Sequence, residues 1–212
     1  MSDQQCSRLS WTDPVGQAQQ VFRLALTALS RPAQAHAFDV CPADAAADEL
    51  PAGLSPELAA LALALCDNET TVWLAPGLDT EDVRAWFRFH CGTVLVAEPA
   101  RAAFAFVPGV EALPDLSCFH QGEAEYPDRS TTICLGGVEE RETAAITASG
   151  PGIMGNCDFS CRMPAGFLAQ WQRNHEQFPL GVDMLLCGPG RLTGLPRTTC
   201  LSLAADEVSQ CM

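Results

Sequence analysis

The sequence predicts an α/β protein with a mixed sheet covered on both faces, and three observations carry that prediction. Helix and strand signals alternate through the first half of the chain. The strand signals are short, unbroken apolar runs such as Val72-Trp73-Leu74 and Met184-Leu185-Leu186, as expected of strands buried on both faces. In the second half a pair of strands joined by a charged turn reads as antiparallel, which makes the sheet mixed. At 212 residues the chain can bury one core without staples, so a single three-layer α/β/α domain over residues 1–212, with its core at about 13–203, is expected.

The first helix is announced by Asp13 as N-cap and Pro14 in its first turn, where the missing N–H costs nothing. Ala18, Val21, Phe22, Ala25, Leu26 and Leu29 recur on one face, and Ser30-Arg31-Pro32 ends the run. A short strand at His36-Ala37-Phe38 and a surface connection over residues 42–53 come next. Ser55 and Pro56 cap a helix through Leu58, Leu61 and Leu65 that ends at Asp67-Asn68. Thr71 to Leu74 is a buried strand, and Thr80, followed by Glu81 and Asp82, caps a helix presenting Val83, Trp86 and Phe87 that stops near Gly92. Strands are expected at residues 93–96 and 104–107, and one short helix ending at Gly122 in the poorly patterned stretch 108–129. Residues 131–138 and 143–149 read as a hairpin around Glu139-Glu140-Arg141. Pro164 opens a helix through Phe167, Leu168 and Trp171, and a strand over FPLGVD, residues 178–183, follows it.

Composition excludes several functions. Twenty-six acidic residues against 12 basic ones give a net charge of −14, which repels nucleic acid and anionic membranes. The first residues lack a basic segment followed by an apolar run, and the longest apolar stretch, near Leu58 to Cys66, falls short of the roughly 20 residues that span a bilayer, so a cytoplasmic protein is expected. Eleven cysteines, an odd number scattered through every kind of element, suit small buried hydrophobes better than a disulfide framework. Cys157-x3-Cys161 with His175 downstream is the one metal-like spacing, and it lacks an obvious fourth ligand, so no metal is expected.

Charged residues at element ends are the candidate chemistry. Asp67, with Asn68 and Glu69, is either a cation-binding or acid–base group or a helix-ending turn, in which Asp and Asn bond their own backbone. Arg88 and His90 lie two apart on a helix, diverging by about 200° unless its last turn frays; they complement the helix dipole or form an anion fork. Asp183 stands in an apolar strand and must be paired if buried, with Arg197 its natural partner; the plainer reading is a structural ion pair joining two strands. All 12 basic residues are Arg, so Schiff-base catalysis has no amine to use. No Gly-x-Ser-x-Gly elbow, Walker loop or His-Glu-x-x-His is present, and GPG at Gly150 and Gly188 reads as turns, since proline offers no N–H to a phosphate. Thiol chemistry stays open at Cys91, next to His90.

Taken together, Phe22-Arg23, LALCDNETTVWL from Leu63, Arg88-Phe89-His90, FPLGVDMLL and LPRTT from Leu195 resemble the H subunit of the bacterial carbon-phosphorus lyase core complex. The resemblance runs from the first helix to Leu203, and departs from the family in the Cys-rich loop 156–162 and in the acidic, Ala-rich stretch before Ser55. It implies a homodimeric subunit whose fold is similar to that of pyridoxal-phosphate (PLP) transferases but without their cofactor site. It also implies G, I, J and L subunits as partners, and a complex that, acting with G, I and L, transfers the ribose 5-triphosphate of ATP to an alkylphosphonate with loss of adenine. An accessory role follows, with Asp67, Asn68, Arg88, His90, Asp183 and Arg197 as a candidate cleft for a phosphonate or nucleotide. The competing readings are an independent metal- or thiol-dependent hydrolase or transferase using Asp67 and His90, and a stand-alone ligand sensor.

Overall fold

The computed structural model describes residues 13–39, 50–138 and 146–203. Among these residues four helices form, the first three where their caps predict: α1 (Pro14–Ser30), α2 (Pro56–Leu65), α3 (Glu81–His90) and α4 (Phe167–Glu176). Asp13, Ser55 and Thr80 each accept a backbone N–H of the first turn, from Gly16, Leu58 and Val83 respectively. The ten strands among the described residues are β1 (Ala35–Ala37), β2 (Thr71–Leu74), β3 (Val94–Leu95), β4 (Phe104–Val107), β5 (Thr132–Leu135), β6 (Ile146–Ser149), β7 (Asn156–Phe159), β8 (Asp183–Gly188), β9 (Arg191–Leu195) and β10 (Cys200–Leu203).

Seven strands build the main sheet in the order β1-β9-β8-β5-β4-β2-β3, and β10-β6-β7 form a small antiparallel sheet. From β8 to β3 the main sheet is parallel; β9 returns antiparallel to β8, and β1 antiparallel to β9. The strands feed two cores alternately, as side chains on a pleated strand must. Val72, Leu74, Phe106, Cys134, Leu185 and Leu192 meet α1, α2 and α3 on one face. Trp73, Ala105, Ile133, Met184 and Leu195 meet α4, β6 and the connections after β4 on the other. The second covering layer thus combines α4 with the small sheet instead of being wholly helical.

Four expectations are corrected. The hairpin of residues 131–149 does not form: β5 pairs with β4 and β8 in the main sheet, while β6 pairs with β7 and β10. The unbroken burial of Ile133, Cys134 and Leu135 against the alternation of Ile146 to Ser149 gives the reason, since one strand is covered on both faces and the other on one. The charged turn 139–141 and residues 143–145 lie outside the described residues, as do 42–49. Instead of a helix ending at Gly122, three single 3-10 turns occupy Val110–Ala112, Leu116–Cys118 and Pro127–Arg129. FPLGV is a connection with a cis Phe178–Pro179 peptide, and the strand begins at Asp183. The Cys-rich stretch from Asn156 forms β7.

On α1 the buried residues are Val21, Ala25 and Ala28, whereas Phe22 and Leu26 are 47% and 52% exposed. Gly194 of β9 explains the rotation: a Cβ there would collide with the carbonyl of Ala28, so helix and strand touch backbone to backbone and only small side chains fit between them. Gly150, Gly152 and Gly155 carry the G-x-G-x-x-G spacing of a dinucleotide fingerprint. They join two antiparallel strands and not a strand to a helix, so the turn reading holds. No helix among the described residues is long and apolar enough to cross a membrane.

Candidate functional site

All six candidate residues lie at one end of the main sheet, where the parallel strands begin, and they fall into two groups. Asp183 opens β8, and Arg197 follows β9, whose antiparallel course returns the chain to that same end. The Arg197 guanidinium holds Asp183 as a fork, Nε to Oδ1 at 3.1 Å and Nη2 to Oδ2 at 2.6 Å, and its backbone N–H donates to Oδ1 at 2.7 Å. Its remaining donors reach the carbonyls of Pro127 (2.9 Å) and Pro179 (3.2 Å) and the Ser130 hydroxyl. The two side chains are only 11% and 21% exposed. Beneath them Thr131, fully buried, donates its hydroxyl to Ala102 O at 2.6 Å and accepts the His120 N–H at 3.1 Å. Every strong donor of this guanidinium is spent on the protein itself, so the pair is a structural clamp.

The second group sits three strands away, with β5 and β4 between, a separation of about 14 Å at the usual strand spacing. Asp67 Oδ1 accepts from Thr70 Oγ1 (2.7 Å) and Glu69 N (3.0 Å), and its own N–H donates to Thr70 Oγ1 (3.1 Å). The Thr70 hydroxyl, aided by the Glu69 N–H, holds the Asp67 carboxyl below its ordinary range. Asn68 lies against Gly92, which takes the left-handed φ of 66° that ends α3. Arg88 reaches back to Glu81 at 3.4 Å on the exposed side. His90 turns the other way onto Trp86, ring centroids 4.8 Å apart, where its Nε2 is buried without a partner and burial pushes its pKa down. The last turn does not fray, so Arg88 and His90 diverge as an intact helix requires. No hydrogen bond or ion pair joins Asp67 to His90, or either group to the other.

A cavity of about 860 Å3 opens elsewhere, between β7 and the β1-β9-β8 side of the main sheet, and none of the six residues lines it. Its walls bring together Ala33, Cys157, Ser160, Cys161, Arg191 and Thr193. Cys157 Sγ faces Ala33 O at 3.8 Å and burial pushes the Cys161 thiol up to about 12, whereas the His175 imidazole of the supposed metal spacing faces Cys200. Sequence reasoning passed over this cavity because its walls come from distant segments joined only by the pairing of β1 with β9 and by the small sheet.

The architecture and the clamp define a lysine-free, mixed α/β domain whose most elaborate polar cluster serves its own framework. Residues 9–202 match the family of bacterial phosphonate metabolism proteins (PhnH), and the chain belongs to that family. It is 35% identical over 192 residues, 90% of this chain and 92% of the relative, to the alpha-D-ribose 1-methylphosphonate 5-triphosphate synthase subunit PhnH of Rhizobium meliloti strain 1021.

Proposed function

We propose that this chain is an accessory subunit of a ribose 1-methylphosphonate 5-triphosphate synthase in phosphonate catabolism, contributing structure and docking surface to a reaction carried out by the assembly. The observation that carries the reading is similarity to that subunit along nearly the whole length of both chains. The geometry supports it: Asp183 and Arg197 satisfy each other, and Asp67 and His90 do not face one another. The independent hydrolase or transferase built on Asp67 and His90 therefore loses its acid–base pair.

The finer points of the proposal are a homodimer, companion G, I, J and L subunits, a cytoplasmic location and a fold akin to that of PLP transferases without their cofactor. The sequence holds no lysine to form an internal aldimine. Should the subunit take a phosphonate or nucleotide, the cavity between β7 and the β1-β9-β8 side of the main sheet offers it room, whereas the Asp183–Arg197 clamp lies outside that cavity.

The test is affinity capture of the tagged chain from its host grown on methylphosphonate as sole phosphorus source, with the isolated chain assayed on ATP and methylphosphonate. Stoichiometric companion subunits and no turnover by the chain alone are expected. Recovery of the chain by itself, or adenine release without companions, would overturn the proposal.

A further inference from the structure

One nucleophile–base contact lies outside both charged groups and the cavity. Trp171 and His175 stand one turn apart on α4, and both reach the segment that leads into β10. Trp171 Nε1 donates to Thr199 O at 2.7 Å, and His175 Nδ1 lies 3.0 Å from Arg197 O. A carbonyl only accepts, so Nδ1 carries the hydrogen and Nε2 is left to face the next group. That group is the thiol of Cys200, 3.0 Å away, the first residue of β10, an edge strand of the small sheet. The imidazole is thus oriented by a backbone carbonyl and aimed at a sulfur, the arrangement by which a neutral base prepares a thiol for attack.

The other described cysteines lack this combination. Cys66 and Cys134 are buried, and burial raises their thiols well above the ordinary value; it pushes Cys91 up to about 12. Cys118 is exposed like Cys200, but no imidazole bonds it. Exposure together with a positioned base singles out Cys200.

We propose that Cys200 is a modification site that forms mixed disulfides with small disulfides of the glutathione class, with His175 as its base. The Cys200 S–H passes its proton to His175 Nε2 as the sulfur attacks one sulfur of the incoming disulfide. A new S–S bond forms, the old one breaks, and the departing thiolate recovers the proton, so electrons and protons balance without further reagents. The adduct replaces the sulfur–imidazole contact.

The experiment exposes the full-length protein to oxidised glutathione near neutral pH, quenches with acid and quantifies each cysteine peptide by mass spectrometry. Cys200 is expected to react about tenfold or more faster than Cys118 in the same molecules. In His175→Gln the Cys200 rate falls about fivefold or more while the Cys118 rate is unchanged, and the buried Cys134 stays as unreactive as in the parent, which reports an intact fold. Equal rates at Cys200 and Cys118 in the unaltered protein would overturn the proposal even if the variant failed to fold. So would a Cys200 rate indifferent to a folded His175→Gln.

Discussion

The Asp183–Arg197 cluster and the Asp67–His90 region stand at the same end of the main sheet, carry similar residue types and behave in opposite ways. Arg197 gathers partners at residues 127, 130, 179 and 183, two segments about 50 residues apart in the chain that fold around one guanidinium. Asp67 bonds only residues two and three positions ahead of it, and Arg88 only Glu81 of its own helix. A charge tied to distant segments holds the tertiary structure together, whereas one tied to its own turn reports only local geometry. The distinction rests on which loops return to the charge, and no window of sequence around Asp67 or Asp183 reveals it.

The contrast can be broken most forcefully at Arg197. Arg197→Met strands the Asp183 carboxylate and removes the donor from two carbonyls and a hydroxyl, so a loss of about 3–5 kcal/mol is expected in urea denaturation. A loss no larger than that of an exposed substitution would place the clamp among the local pairs. Next comes Thr131→Val, of nearly equal shape, which deprives Ala102 O and His120 N of their partner. About 1–3 kcal/mol is expected from the same measurement, and no change would show that water replaces the hydroxyl.

In the local region the effects are smaller and depend on pH. Burial holds the His90 pKa below its ordinary value, so the unfolded chain binds the proton more readily than the folded one. The unaltered protein should therefore lose stability as pH falls from about 7 to about 5, and His90→Phe, which cannot take up that proton, should lose less. Melting curves of the two that run parallel across that range would contradict the buried imidazole. Asp67→Ala should shift the melting midpoint least of the four. Because the folded carboxyl is held low, its contribution exists above the ordinary carboxylate range and disappears as pH falls through the lowered value. The difference between variant and parent should vanish in acid, and a difference that persists there would mean that Asp67 acts through packing.

Much of the framework was legible because its signals are local. Asp13, Ser55 and Thr80 cap the helices that their neighbours predict, and the β-branched or aromatic runs at Thr71 and Phe104 are strands. The partnership of Asp183 with Arg197 was also readable, since a carboxylate in an apolar strand needs a cation and LPRTT supplies one two elements later. What failed was non-local. The pairing of β5 depends on strands 28 positions before it and 51 after it, counted from Thr132 to Phe104 and Asp183, so sequence adjacency to β6 misled. The choice of Ala25 and Ala28 over Phe22 and Leu26 as the buried stripe was decided by Gly194, more than 160 residues away. The divergence of Arg88 from His90 turned on whether one helical turn stays intact.

The clamp has a consequence for how the central strands find their alignment. Ile133, Cys134 and Leu135 are apolar on both sides of β5, as are Met184, Leu185 and Leu186 on β8, so sliding either by one residue would bring no greasy side chain into water. Hydrophobicity alone leaves the phase of these strands undetermined. Thr131 and Asp183 break the degeneracy: only the native offset lets the hydroxyl find Ala102 O and the carboxylate find Arg197, and a slipped chain would bury both unanswered. In this fold the polar edge serves as a vernier, reading out a one-residue error that the oily interior cannot see.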